Sequence, residues 1–389
     1  MNTRVYSPLA PTGSLAGRAG QLLLTALLGC FAVFYLWYGM PPGPLNDFSS
    51  FWVSGKAASE GLDPYAIYPE TFRSQYYNVI HANLNPPASL LLFAPLSRLD
   101  PETAFVVLWW SGLLVYAGIV IATLRRQPGP NGMLMGAWAL ALPGLWDGLR
   151  LGQIYVLLFA GVALVWYLLE EERPMLAAVV IGCLAALKPN LLVWPALLFV
   201  AGYWRMALAA GVAFAVACVL PVLFFGFEVY PQWLALLASD IGERSGGFSS
   251  VTVVAIGTRA GSYLLGGLLA ALVLLWAVSR IWRRDAPVQY VSTIAVGVAV
   301  LVSPVVWLHY LLLLLPALLR RRWNAGIVIG AATMAVPTAA AFWFYIELPL
   351  VWPDLEAVIK ATVGSLYAWG ALLLVVSLAR AEVGQAKAG

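Results

Sequence analysis

The sequence predicts an all-α, polytopic membrane protein, and three observations carry that expectation. Of its 389 residues, 62% are hydrophobic and only 10% charged, against about 25% charged in an ordinary soluble domain. Long apolar runs recur along the whole chain, several near the ~20 residues that cross a hydrocarbon core as a helix. Aromatic residues make up 13%, and such side chains favour the two membrane interfaces. A soluble chain with so few charges would leave large apolar patches in water, and the same composition excludes a disordered chain. The net charge of +4 is dispersed, which argues against nucleic acid as a partner.

The elements follow in order. Residues 1–20 read as a cytoplasmic tail carrying Arg4 and Arg18. Residues 21–40 form the first span. No small-residue cleavage site follows it, so it is expected to stay in place. Further apolar runs lie at roughly 103–124, 132–149, 152–169, 175–187, 189–203, 205–226, 262–282, 288–303, 307–319, 324–346 and 361–380. With the first they predict about 12 spans. Two pairs meet at prolines, in Lys188-Pro189-Asn190 and in Ser303-Pro304. Proline removes a backbone donor and breaks the helix. Broken backbone at membrane depth survives only inside protein or against a wet cavity. The run 88–96 after Asn85-Pro86-Pro87 is too short to cross and reads as an interfacial or re-entrant helix.

Charge sets the expected orientation. With the N-terminus in the cytoplasm, the basic clusters Arg125-Arg126, Arg283-Arg284 and Arg320 to Arg322 all fall inside, as the positive-inside rule requires. Most acidic residues fall outside. The sizeable outer loops are then 41–102, 227–261 and 347–360, and 381–389 is a second cytoplasmic tail. The whole chain, 1–389, reads as a single transmembrane domain whose chemistry belongs on the outer side.

The polar residues near these breaks are the candidates. Asp47 follows a proline-rich turn and is flanked by Phe48, Phe51 and Trp52. Such a partly desolvated carboxylate suits a general base. An aspartate before an apolar periodic run also reads as a helix N-cap, and both roles are compatible. Asp63-Pro64 after Gly61 reads as a turn leading to Tyr65. Arg150 matches a phosphate by its planar fork, or pairs with Asp147 in the loop. Gln153 opens a span at the outer surface. Lys188 between two half-helices is either an intramembrane functional cation or a snorkelling one. His309 is either a satisfied core histidine or a donor to a phosphate or acceptor.

Cys30, Cys183 and Cys218 each lie in an apolar run and read as inert packing. No CxxC pair, P-loop or GxGxxG occurs, and His81 and His309 are the only histidines. Neither a metal site nor a nucleotide site is expected, and no cofactor.

Taken together, these segments resemble glycosyltransferase family 87, formerly a domain of unknown function numbered 2029. The resemblance is carried by Asp47-Phe48 with Trp52, Gly61 to Tyr65, Asn85-Pro86-Pro87, Gly152-Gln153, Ala186-Leu187-Lys188-Pro189, and Ser303-Pro304 with Trp307 and His309. It covers residues 20–320 or so, and residues beyond carry no matching motif. The resemblance implies a GT-C glycosyltransferase fold in a bacterial inner membrane. It implies inverting, metal-independent hexosyl transfer, mannose above all, from a polyprenyl-phosphate sugar to a glycolipid or glycan at the extracytoplasmic face. Asp47 and His309 are then the expected catalytic residues, and Lys188 and Arg150 the donor-phosphate cations. Gln153, Asn190, Trp307 and Tyr65 are the expected substrate contacts. The alternatives are a lipid-linked sugar transporter or flippase, whose intramembrane charges would lie on both sides of the midplane, and an outer-face polysaccharide polymerase or ligase.

Overall fold

The computed structural model describes residues 15–41, 45–73, 80–125, 130–244, 246–282, 286–321 and 323–386. Among them every regular element is a helix, and backbone pairing between strands is limited to the isolated bridges Arg73–Ile80 and Ser250–Trp307. Five helices are long and apolar enough to cross a membrane: Gly17–Gly39, Pro101–Leu124, Trp204–Phe225, Tyr263–Ile281 and Pro353–Arg380. A sixth is counted if Ala325–Met334 and Thr338–Val351, bent by 87°, form one span. Leu23, Trp37, Leu223, Phe224 and Leu264 are 70–74% exposed on these helices, an arrangement suited to lipid and not to water. The chain is a multi-pass membrane protein.

All twelve apolar runs are helical, yet about twelve full crossings are not found among the described residues. The run 132–149 breaks before Pro143 into Pro130–Leu140 and Pro143–Arg150. Tyr155–Glu170, Pro174–Leu187 and Val288–Val302 have 16, 14 and 15 residues. At 1.5 Å per residue none exceeds ~24 Å. Hydropathy registers a half-helix buried in protein as strongly as a crossing.

The described chain divides into two compact units. One comprises Gly39–Val115 and Asp147–Glu243. Its centre is the Pro174–Leu187 helix, packed on Tyr155–Glu170 and on Trp204–Phe225. The last contact is close because Gly182 has no side chain. A Cβ there would strike the Ala210 carbonyl and lie 2.8 Å from Ala213 Cβ. The Asp47–Ser59 helix lies on the short Leu90–Leu96 helix. Phe51 and Phe93 meet with ring centroids 5.2 Å apart, and Trp52 Nε1 donates to Leu99 O at 3.1 Å. The sequence reading of 88–96 as a helix too short to cross agrees with this placement.

The other unit comprises residues up to Tyr38, Tyr116–Trp146 and Arg244 onward. Its last helix, Leu366–Ala386, packs on Ala325–Met334 and Val288–Val302. Buried Arg259 donates to Gly246 O at 3.2 Å, Ser250 O at 3.1 Å, Ser365 Oγ at 2.9 Å and Gly247 O. It therefore clasps the turn at 246–250 to the start of the last helix, as a cation taken out of water requires acceptors.

Candidate active site around Asp47

Asp47 is the first residue of the Asp47–Ser59 helix, and the cap position before it is Asn46. The cap reading of Asp47 is thereby corrected. Asn46 holds φ 45°, a left-handed conformation uncommon outside glycine, and its side chain makes no capping bond. The carboxylate of Asp47 is turned instead toward two distant segments. Its Oδ1 lies 3.0 Å from His81 Nδ1, and its Oδ2 accepts from Gln153 Nε2 at 3.0 Å. A carboxylate only accepts, so the proton shared with His81 sits on Nδ1. The side chains of Asp47 and His81 are 17% and 31% exposed. The carboxylate is therefore held on both oxygens, yet open enough to be reached.

Gln153 reaches Asp47 because the chain reverses at Gly152. Gly152 N–H donates to Leu149 O at 3.1 Å and Gln153 N–H to Gly148 O at 2.9 Å, the paired bonds of a Schellman helix end. Gly152 has φ 65°. A Cβ on it would sit 2.5 Å from Phe48 Cβ, so both conformation and space demand glycine. Phe48, fully buried against Phe105 at 5.4 Å, fixes this corner. The helix that Gln153 was expected to open begins at Tyr155.

Sequence reasoning missed His81. It lies in the long loop, 34 residues from Asp47, where no periodicity points to it. Its signal was its scarcity, as one of two histidines placed four residues before the Asn85-Pro86-Pro87 motif.

A second polar cluster adjoins the same segments. Lys188, extended between Pro174–Leu187 and the Pro189–Leu192 turn, donates from Nζ to Asn85 Oδ1 at 2.7 Å. Its ammonium also lies 5.0 Å from the Tyr155 ring centroid, a cation–π distance. Asn85 is fixed in turn: its N–H and Nδ2 both donate to Asn83 Oδ1 at 3.0 Å, and its carbonyl accepts from Tyr65 Oη at 3.0 Å. Trp233 Nε1 donates to Leu84 O at 3.2 Å. Tyr65 is only 4% exposed. Burial pushes its phenol well above the usual value, with smaller contributions from Tyr230 and Asp63, so it stays a donor. The hydroxyl expected to meet a substrate thus supports Asn85 here. The Asp63 turn is found, with Oδ1 accepting from Tyr65 N–H at 2.8 Å.

The two clusters share their scaffolding. The segment 81–85 supplies both His81 and Asn85, and the segment 153–155 supplies both Gln153 and Tyr155. Gln153 and Tyr155 are two residues apart, so their Cα atoms are within ~7 Å of each other. Arg150 is exposed at the end of Pro143–Arg150, and Asn190 is half-buried on the Pro189–Leu192 turn.

Trp307 and His309 belong to the other unit. Val251 N–H donates to Val306 O at 3.0 Å beside half-buried Trp307. The tight Leu308–Leu314 turn that follows is buried at all seven residues. His309 is 1% exposed and stacks on Tyr310 at 5.6 Å. Gly144 makes room for its backbone, since a Cβ there would lie 2.9 Å from Leu308 O. The His309 ring, expected to meet a phosphate, lies buried in this turn.

The sequence is 26% identical over 325 residues to the polyprenol-phosphate-mannose-dependent alpha-(1-2)-phosphatidylinositol mannoside mannosyltransferase of Mycobacterium tuberculosis (strain ATCC 25618 / H37Rv), spanning 75% of this chain and 74% of that one. The crystal structure of ArnT from Cupriavidus metallidurans bound to undecaprenyl phosphate is similar over 96% of this chain and 79% of that chain, with a TM-score of 0.41 and 15% identity. The sequence model of Glycosyltransferase family 87 matches residues 83–304, a stretch that holds Asn85, Gln153 and Lys188 and makes up more than half of the chain. This membrane protein belongs to glycosyltransferase family 87.

Proposed function

We propose that the enzyme transfers a mannosyl group from a polyprenyl-phosphate sugar to a glycolipid or glycan acceptor, with inversion, at the extracytoplasmic face of the bacterial inner membrane. The observation that carries this reading is the Asp47 carboxylate, gripped on Oδ1 by His81 and on Oδ2 by Gln153 while still partly open. The mannosyltransferase relative, named for a polyprenol-phosphate-mannose donor and a phosphatidylinositol mannoside acceptor, supports the choice of substrates. The positive-inside rule, which assigns the basic clusters of the sequence to the cytoplasmic face, supports the choice of face.

The chemistry is a single displacement. The acceptor oxygen attacks the anomeric carbon from the face opposite the phosphate. The carbon–oxygen bond to phosphate breaks, and polyprenyl phosphate leaves with the electron pair. Asp47 takes the proton of the attacking hydroxyl. The leaving phosphate is a stable anion, so it needs charge stabilisation more than protonation. Lys188, oriented by Asn85 and Tyr155, supplies that charge, with exposed Arg150 as a second cation. A sugar donor carried on lipid also fits the outer face, where cytoplasmic sugar nucleotides are absent.

The test is to incubate membranes containing the enzyme with labelled polyprenyl-phosphate mannose and follow label into glycolipid and glycan. Label appearing in an acceptor with inverted anomeric configuration is expected. Label that stays on the donor, or crosses the bilayer unchanged on it, would overturn the reading.

A further inference from the structure

We infer that His81 is a positioning residue of the transfer reaction, setting the plane from which the Asp47 carboxylate acts. The inference rests on Asp47 being the base. Its basis is a closed ring of contacts. His81 Nδ1 meets Asp47 Oδ1 at 3.0 Å. The backbone N–H of His81 donates to Phe72 O at 2.9 Å, and its ring meets the Phe72 ring edge-on at 5.1 Å. Phe72 N–H donates to Ser50 Oγ at 2.9 Å. Ser50 sits one turn beyond Asp47 on the same helix. The support of His81 therefore returns to the element that carries the base, and the imidazole cannot drift from the carboxylate without breaking the ring.

This fixing is needed. An aspartate side chain has two rotatable bonds, and at the first turn of a helix nothing intrinsic holds its carboxylate. Gln153 restrains one oxygen only, and a single bond still allows rotation about it. With His81 on the other oxygen the plane is determined, and each oxygen keeps a further lone pair for the hydroxyl proton. A base misplaced by about 1 Å can cost about 100-fold in rate. Space-filling alone would account for the ring contact with Phe72 but not for Nδ1 facing the carboxylate.

The experiment uses the full-length enzyme in lipid nanodiscs, with labelled polyprenyl-phosphate mannose as donor and membrane glycolipid as acceptor. His81→Ala is expected to lower kcat about 100-fold while the donor KM stays within about twofold. His81→Asn, whose amide nitrogen can take the place of Nδ1, is expected to recover about tenfold of that loss. His81→Phe, a ring with no donor, is expected to stay as slow as His81→Ala. Full kcat in His81→Phe would reduce the residue to packing and overturn the inference. So would a loss confined to donor KM. Asp47→Asn, run alongside, separates the two failures. An active Asp47→Asn removes the base itself, whereas an inactive Asp47→Asn with a fully active His81→Ala removes only the role given to His81.

Discussion

Asp47 and His309 invite comparison, because each is a polar residue a few positions after a proline, among aromatic neighbours, in a segment that interrupts the apolar pattern. Their surroundings differ entirely. Asp47 is bonded through both oxygens to side chains 34 and 106 residues away and keeps part of its surface open. His309 lies in a turn whose seven residues are all buried, and it belongs to the other unit. A break in a helix supplies irregular backbone. A site also requires convergence of distant side chains and an opening, and Asp47 has both.

The largest effect that sharpens this contrast is expected at Asp47. Asp47→Asn keeps the shape of the side chain but removes its basicity, and turnover should fall by about 10²–10⁴-fold in the label-transfer assay. Lys188→Met comes next. It preserves length, removes the charge from Asn85 Oδ1 and the Tyr155 ring, and should lower kcat/KM by about 10²-fold or more, with donor binding weakened in a direct lipid-binding measurement. Gly152→Ala should follow. Its Cβ would meet Phe48 at 2.5 Å in a backbone conformation that alanine resists. Gln153 would be displaced, and transfer should fall roughly tenfold, with a lower melting temperature. The smallest effect on rate, and the clearest on stability, is expected for His309→Ala. Loss of a buried ring should cost about 1–3 kcal/mol, measured by thermal unfolding in detergent. A His309→Ala enzyme of full stability and no activity would break the comparison, since it would make His309 a site residue despite its burial.

Much of the site was legible in the sequence, for identifiable reasons. Asp47 is conspicuous as a carboxylate between a proline-rich turn and Phe48, Phe51 and Trp52. Lys188 stands out because a cation between apolar half-helices is costly. The Gly152-Gln153 pair reads as the start of a span, and the chain instead reverses there before the helix begins at Tyr155. What linear reading misses is the partner of each group. His81 lies in a loop without periodicity, and the bridge Arg73–Ile80 and the Phe72 contacts bring it to Asp47. Tyr65 looks like a ligand-facing aromatic, but its hydroxyl is drawn inward to Asn85 O. The span count suffers from a similar limit. Apolar runs such as 132–149 and 324–346 have the hydropathy of a crossing, and Pro143 and Pro337 divide them into pieces.

The most direct measurement is a single turnover from donor already bound. Wild-type enzyme and Asp47→Asn are loaded to equal occupancy with labelled polyprenyl-phosphate mannose, acceptor is added, and transfer is timed. If Asp47 is the base, both proteins hold the donor alike and only the wild type passes the sugar on. Equal transfer rates from equally loaded proteins would contradict that assignment.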